Sequence, residues 1–297
     1  MSDSTIDPEE LTAEDAERVY RLESSIWINY PKATQILRNL NELIAHPRSH
    51  RMPNMALIGD SNNGKSALIQ QFAAQHCPED VKASESAKLP VLIAQCPSNL
   101  TESRLYTELL NRLFTPTGSK EAPESKFSKL KRLVSELGIK MIILDEFHHA
   151  FGGPQNMRNL LNAVKYMCNE LQIPFVLSGT PEMLNVLQQD PQFANRFPPR
   201  HLKRWQYDDE LKALLATFED ELCLAKPSGL WKMRKAVTIL AESDGLLGDM
   251  LDLLRMLAVH AIRTGAEAIT EEMLGRDYLE TLGWTAPSLR GHYRPTL

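Results

Sequence analysis

One octapeptide constrains this chain more than any other feature: Gly59-Asp60-Ser61-Asn62-Asn63-Gly64-Lys65-Ser66, a full match to GxxxxGK[ST]. It follows the apolar run Met55–Ile58 and precedes a helical pattern over Lys65–His76. Strand, glycine turn and helix in that order aim successive backbone N–H groups and the helix's positive end at a phosphate. In that setting Lys65 reaches the terminal phosphates and the Ser66 hydroxyl ligates Mg²⁺. The bland alternative, a glycine turn followed by an incidental Lys-Ser, loses most of its weight because both flanks agree with the motif. ATP with Mg²⁺ is therefore the expected ligand, and Gly59, Asp60, Ser61, Asn62, Asn63, Gly64, Lys65 and Ser66 are expected to line its site.

The pattern around the octapeptide repeats the strand–helix alternation. Apolar runs at Val91–Ala94, Met141–Leu144 and Phe175–Leu177 alternate with helical patterns at Glu102–Phe114, Phe127–Leu137 and Met157–Leu171. Short apolar runs separated by helices indicate a parallel sheet covered on both faces. A fifth, weaker strand is expected at His201–Trp205. After Trp205 no strand-like run appears, and helical patterns at Asp208–Leu222, Lys232–Ser243, Gly248–Thr264 and Thr270–Leu282 predict a four-helix unit. Upstream, one short helix is expected near Pro8–Leu22 and another at Ala33–Ala45. Pro287–Leu297 reads as an extended tail.

Further candidates stand at strand ends. The run Met141-Ile142-Ile143-Leu144 closes on Asp145-Glu146. Asp145 suits a direct or outer role at Mg²⁺. Glu146, one residue on, can orient and deprotonate an attacking water. Alone, such a pair is often mere polar punctuation; beside a phosphate loop on the same sheet edge it points to hydrolysis. His148 and His149 are adjacent, so they point apart and make a poor metal pair; a surface or supporting role is expected. Ser178 and Thr180 close the third strand and suit contact with the γ-phosphate or the water, while Thr180 equally suits a helix cap with Pro181 as first helical residue. Between Asn195 and Arg204 lie four bases and no acid among ten residues. Arg196, and after it Arg200, are candidates for an arginine acting across a subunit boundary, against the alternative of a solvated basic turn.

Composition closes other doors. The 297 residues carry a net charge of −5, which argues against a strongly basic nucleic-acid coat protein. Residues 1–24, however, hold eight acids and two bases, so the remainder has 30 acids against 31 bases. No run of about 18 apolar residues offers a membrane span, and the acidic start lacks the pattern of a secretory signal. Cys77, Cys96, Cys168 and Cys223 lie far apart without metal-ligand spacing, so buried thiols in a reducing, cytoplasmic setting are expected.

With these residues in hand, the chain resembles the AAA+ ATPases over about residues 50–285. Walker A is Gly59–Ser66, Walker B is Met141–Glu146, a sensor-1-like strand end is Ser178–Thr180, and Arg196-Phe197 fall in the arginine-finger region. The resemblance implies an α/β fold: an AAA+ P-loop NTPase with a parallel five-stranded sheet and a C-terminal helical lid. It suggests an acidic arm (1–24), a linker helix (25–50), the ATPase core (51–205), the lid (206–285) and a tail (286–297). One departure is visible. Gly248-Asp249 is followed by no arginine until Arg255, which puts the usual cis arginine contact in question and implies slow hydrolysis.

Ile26–Pro31, His46–Asn54 with its Arg-Met-Pro-Asn, the Asn-Asn-Gly-Lys loop and Asp145-Glu146-Phe147-His148-His149 look like the TniB/TnsC family, the ATP-dependent regulators of DDE transposition. That likeness implies a homo-oligomer, ring or helical filament, that assembles on target double-stranded DNA with ATP. It would recruit a DDE transposase, possess a TniQ-type targeting partner, and disassemble on hydrolysis. Ser103–Lys140 holds eight bases and four acids. Arg104, Lys126, Lys129 and Lys131 are therefore the candidate DNA contacts, expected to be sequence-independent, against the alternative of an ordinary solvated helix pair. The acidic arm reads either as a docking segment for a basic partner or as a solubilising end. Two other readings stay open: another AAA+ machine of the replication- or helicase-loader type, and a nucleotide-gated scaffold that does not bind DNA.

Overall fold

Four apolar runs and one proline-led segment become a single parallel sheet. In the computed structural model, which describes residues 11–24, 27–76, 88–98, 100–150 and 154–290, the strands are β1 (Met55–Gly59), β2 (Val91–Gln95), β3 (Met141–Asp145), β4 (Phe175–Gly179) and β5 (Pro199–Leu202). Their order is β2-β3-β4-β1-β5, with every pairing parallel. β1, β3 and β4 are buried along their whole length, which is why their sequences are unbroken apolar runs rather than alternating ones. Asn54, buried just before β1, accepts a hydrogen bond from the Phe175 N–H (2.8 Å) and donates one to the Met52 carbonyl (3.2 Å), fixing the start of β1 against β4.

Helices cover the sheet: α2 (Pro31–Ile44), α3 (Lys65–His76), α4 (Glu102–Arg112), α5 (Pro123–Glu136), α6 (Pro154–Leu171), α7 (Pro181–Gln188) and α8 (Pro191–Arg196). Proline opens five of them, at a position whose missing N–H costs the helix nothing. α4 and α5 pack together through Tyr106 and Phe127, whose ring centroids lie 5.4 Å apart. Leu105, Leu109 and Leu130 are buried in the same core.

The described residues fall into two compact units. The sheet unit comprises Lys32–Ser61 and Lys65–Leu202; the helical unit draws on Met1–Pro31, Asn62–Gly64 and Lys203–Leu297. The helical unit contains α1 (Ala13–Glu23), α9 (Asp209–Glu221), α10 (Met233–Glu242), α11 (Leu247–Arg263), α12 (Arg276–Thr281) and α13 (Pro287–Arg290). α11 is its buried axis, with Met250, Leu253, Leu254 and Leu257 fully covered. Among the described residues, no helix is long and apolar enough to cross a membrane.

Three expectations need correction. The fifth strand runs over Pro199–Leu202 rather than His201–Trp205. It lies at the sheet edge, where a leading proline costs no ladder bond, so Pro198-Pro199 is compatible with a strand. The fourth helix of the helical unit is only α12, because Gly275 stands at its N-cap and turns occupy 271–274. The stretch expected as an extended tail opens with the short helix α13, led by Pro287. Over the described part of the acidic arm, the expected short helix forms: α1 packs on α11, and Arg18 pairs with Glu267 at 2.6 Å. Residues 1–10, Ile26, Cys77 and residues 291–297 lie outside the described residues, with the expectations placed on them.

Candidate active site

The phosphate loop leaves the end of β1 at Gly59. A Cβ there would stand 2.9 Å from the Leu202 carbonyl oxygen of β5, so only glycine lets the two strands lie this close. At its other end Gly64 has φ +84°, a left-handed conformation that costs a side chain 1–2 kcal/mol or so. Between them, Asn62 is itself left-handed at φ 57°. The loop then enters α3 at Lys65, placing the helix N-terminus at the sheet edge where ligands of parallel sheets bind.

Lys65 is buried, and its Nζ donates to the Gly59 and Asp60 carbonyls at 2.7 Å each. Burial lowers its pKa, while Asp145, Asp60 and Glu146 pull it back up. The ammonium is thus held at the mouth of the loop among carboxylates, without a salt bridge of its own among the described residues.

β3 ends in the second half of the site. Ser66 Oγ donates to Asp145 Oδ2 at 2.6 Å, and the Glu146 N–H donates to Asp145 Oδ1 at 2.9 Å. Asp145 is buried, whereas Glu146 turns out of the strand with φ 53°, a conformation a glutamate adopts only where its surroundings hold it. Gln95, level with Asp145 at the end of β2, donates through Nε2 to Glu146 Oε2, and His149 Nδ1 lies 3.4 Å from the same oxygen. A carboxylate held at the sheet edge beside a metal-suited pair can accept a proton from water. Ser66 and Asp145 supply the hard oxygen donors that Mg²⁺ prefers, and one carboxylate with a hydroxyl is the protein's usual share when nucleotide phosphates complete the shell. Mg²⁺ therefore fits this donor set.

The sensor-like residues are both buried. Ser178 is fully buried beside Leu57 of β1, and its hydroxyl has no hydrogen-bond partner. His148 Nδ1 is likewise buried and unpartnered, and lies where a Cβ on Gly179 would be 3.3 Å from it. Burial, then His149 and Lys65, push the His148 pKa down against the opposing pull of Glu146 and Glu182, which favours the neutral imidazole. Thr180 stands at the N-cap of α7 but its side chain makes no cap bond; its hydroxyl bonds Glu182 instead and lowers that carboxyl's pKa.

Arg196 is the last residue of α8, three positions before the start of β5, with Nη2 donating to Asn169 and Nε buried without a partner. Because β5 runs parallel to β1 with Pro199 opposite Ala56, Arg196 lies on the N-terminal side of the sheet, away from its own phosphate loop. Arg200 is exposed on β5 and donates to Asn39 at 3.3 Å.

The helical unit, to which Asn62–Gly64 belong, holds the tip of the loop. The Gly248 N–H donates to the Asn62 carbonyl at 2.8 Å, and the Leu247 N–H to Asn63 Oδ1 at 3.3 Å. Buried Asp249 accepts from Asn62 Nδ2 at 2.9 Å and from Arg290 Nη1 at 2.5 Å. Sequence reasoning looked for an arginine just after Gly248-Asp249 and missed Arg290, 41 residues on. Gln95 was also missed, although a lone polar residue ending an apolar run at the Asp145 edge is itself a signal.

One of the DNA candidates is corrected. Lys126 is buried and donates to Ser103 Oγ at 2.9 Å, so it is withdrawn. Lys129 and Lys131 are more than two fifths exposed and lie 2.8 Å from Glu121 and 2.9 Å from Glu170 in surface pairs. Arg104 is exposed.

A sequence family described as "Bacterial TniB protein" matches residues 18–207, about two thirds of the chain. The chain belongs to the TniB family. It is an AAA+ ATPase in fold and in its phosphate loop and acidic strand end. Comparison with curated proteins finds no match for this TniB-family chain. Solved structures are similar to it at low identity. One is the Aeropyrum pernix ORC2 protein in ADPNP–ADP complexes, 16% identical over 92% of this chain and 73% of that one, with a TM-score of 0.63. Another is Cdc6p from Pyrobaculum aerophilum, 17% identical over 89% and 70%, with a TM-score of 0.62. A third is the Aeropyrum pernix ORC1 protein in complex with DNA, 18% identical over 89% and 68%, with a TM-score of 0.59. These likenesses establish the AAA+ fold of the TniB-family chain.

Proposed function

We propose that this TniB-family ATPase assembles on double-stranded DNA in its ATP-bound state, recruits a DDE transposase there, and comes apart on hydrolysis. The observation that carries the hydrolytic step of this reading is the joined site: Ser66 on Asp145, with Glu146 held next to it by Gln95. In this reading the N–H groups of Asp60–Lys65 bind the phosphates, Lys65 leaves the loop carbonyls to meet the terminal ones, and Ser66 and Asp145 hold Mg²⁺. The metal, when bound, neutralises charge developing on the phosphoryl oxygens. Glu146 takes the proton from the attacking water, and of the two strand-end candidates Thr180 is the one to meet the γ-phosphate, since Ser178 is buried against β1. Arg196, turned away from its own loop, serves a neighbouring subunit, which couples hydrolysis to assembly.

DNA as the partner is supported by the family and by the fold shared with DNA-bound ORC structures. With Lys126 withdrawn, the phosphate contacts must come from Arg104, Lys129 and Lys131 and from partners aligned by assembly, so affinity grows with subunit number. A TniQ-type targeting protein is a further expected partner. The likeness to ORC and Cdc6p favours a second reading, an ATPase acting in replication loading.

The test uses Glu146→Gln. With ATP and Mg²⁺ this variant should bind nucleotide, stop turning over and stay on a double-stranded DNA fragment through sedimentation, whereas Lys65→Ala should fail at every step. DNA retention that is indifferent to ATP would overturn the proposal. Stimulation of a DDE transposase separates it from the loading reading.

A further inference from the structure

Two faces of the helical unit are uncovered by its own packing, and they complement each other. On the first, Trp231 (48% exposed), Met233 (67%) and Val237 (42%) form an apolar strip, with Met233 and Val237 one helical turn apart on α10. Large apolar side chains grouped in this way mark an interaction surface, whereas scattered ones do not. The strip is held rigid. The Glu219 carboxylate accepts from the N–H groups of Ser228, Gly229 and Leu230 at 2.7, 2.7 and 2.8 Å, and Lys235 clamps the same loop through the Ser228 and Ile269 carbonyls. Trp231 therefore projects from a fixed loop and loses little freedom on binding, as an interface anchor should. Its border is positive: Lys232 has no carboxylate partner among the described residues, and the first turn of α10 contains no acid.

The second face is the outer side of α1. Tyr20 is 74% exposed there, between Glu17 and Glu23 on the same helical stripe. This helix is also fixed, since Arg18 binds Glu267 and the Cys223 carbonyl. Neither Glu14 nor Glu23 has a basic partner among the described residues. One face is thus apolar with Lys232 at its border, and the other carries a single aromatic ring with Glu23 beside it, Glu17 being paired with Arg21 at 3.7 Å.

We propose that Trp231, Met233 and Val237 receive α1 of a second copy of this chain, with Tyr20 as its anchor and Glu23 beside Lys232. The two faces differ, so each bound copy leaves one of each kind free, and the contact propagates head to tail. It rests on the assembly proposed above and names a surface that assembly uses. A contact this small adds to a larger interface and does not form a stable dimer alone.

The test puts the photoreactive residue p-benzoylphenylalanine at position 20 of the full chain, also carrying Glu146→Gln. Light and ¹⁵N-labelled copies are mixed with ATP, Mg²⁺ and DNA, and assembly is followed by mass photometry. Expected is a mixed light–heavy crosslink from residue 20 to Trp231, Met233 or Val237. Trp231→Ala should raise the concentration at half-assembly about tenfold, the effect of losing one aromatic anchor. Lys232→Glu and Glu23→Lys should each weaken assembly, and the two together in one chain should restore it. Assembly without the mixed crosslink, or with crosslinks confined to one copy, overturns this contact and leaves the proposed function standing. So does a Trp231→Ala chain that assembles normally but no longer binds a partner protein. Absence of any ATP-dependent assembly overturns both.

Discussion

Ser66 donates its hydroxyl to Asp145 across 2.6 Å, joining the first turn of α3 to the last residue of β3. These residues are 79 positions apart, and only the parallel sheet, with β4 between β1 and β3, brings them to one edge. The bond holds a hydroxyl and a carboxylate oxygen together where the phosphate loop meets the end of β3. Ser66→Ala and Asp145→Asn should therefore raise the Mg²⁺ concentration at half-maximal ATPase activity by roughly tenfold or more. Nucleotide binding measured with EDTA present should change little. Equal loss of binding with and without Mg²⁺ would show that the pair supports the loop and not the metal.

Gln95 should behave as a positioning residue. It holds Glu146, whose backbone is already in a strained left-handed turn. Gln95→Ala should lower kcat about tenfold, less than the 10²–10⁴ expected from losing the base itself. The KM for ATP and the Mg²⁺ requirement should stay near wild type. A KM effect with unchanged kcat would assign Gln95 to nucleotide binding instead.

The strand–loop–helix unit around Gly59–Ser66 and the acidic end of β3 were legible because each is a local pattern: an apolar run, then polar residues at a fixed offset. β5 was misplaced because a proline pair reads as a turn until the strand is known to lie at an edge. Lys126 looked like a phosphate contact because charge patterning carries no information on burial. Arg290 and Asp249, like Arg18 and Glu267, pair over distances that no window reveals. Asn54 shows the opposite case: the Arg-Met-Pro-Asn segment looked like a family mark, and its asparagine proves to be a buried tie between β1 and β4.

Asn54→Ala should destabilise the sheet unit. Removing the side chain leaves the buried Phe175 N–H without its acceptor, a loss of about 1–3 kcal/mol. For a unit of this size each kcal/mol lowers Tm by roughly 2–4 °C. Differential scanning fluorimetry of the full chain reads the shift, and saturating ATP should raise both proteins in parallel. An unchanged Tm would mean that water replaces the asparagine.

The Arg18–Glu267 pair should make the seating of α1 depend on pH. Glu267 accepts from both Arg18 and the Ala225 N–H, and these bonds, Arg18 first, hold its pKa below the ordinary glutamate value. A lowered folded pKa means that the pair contributes stability above the unfolded value, about 4.3, and loses it as pH falls through the folded value. Hydrogen exchange of Ala13–Glu23 should accordingly be slow at pH 7 and speed up, after correction for intrinsic rates, on acidification below about pH 4. Glu267→Gln keeps the shape and removes the charge, so its α1 amides should already exchange faster at pH 7, by up to about tenfold for a loss near 1.4 kcal/mol. The gap between the two proteins should close at low pH. Equal exchange of the two proteins at pH 7 would mean that the packing of α1 on α11, and not the charge on Glu267, holds this helix in place.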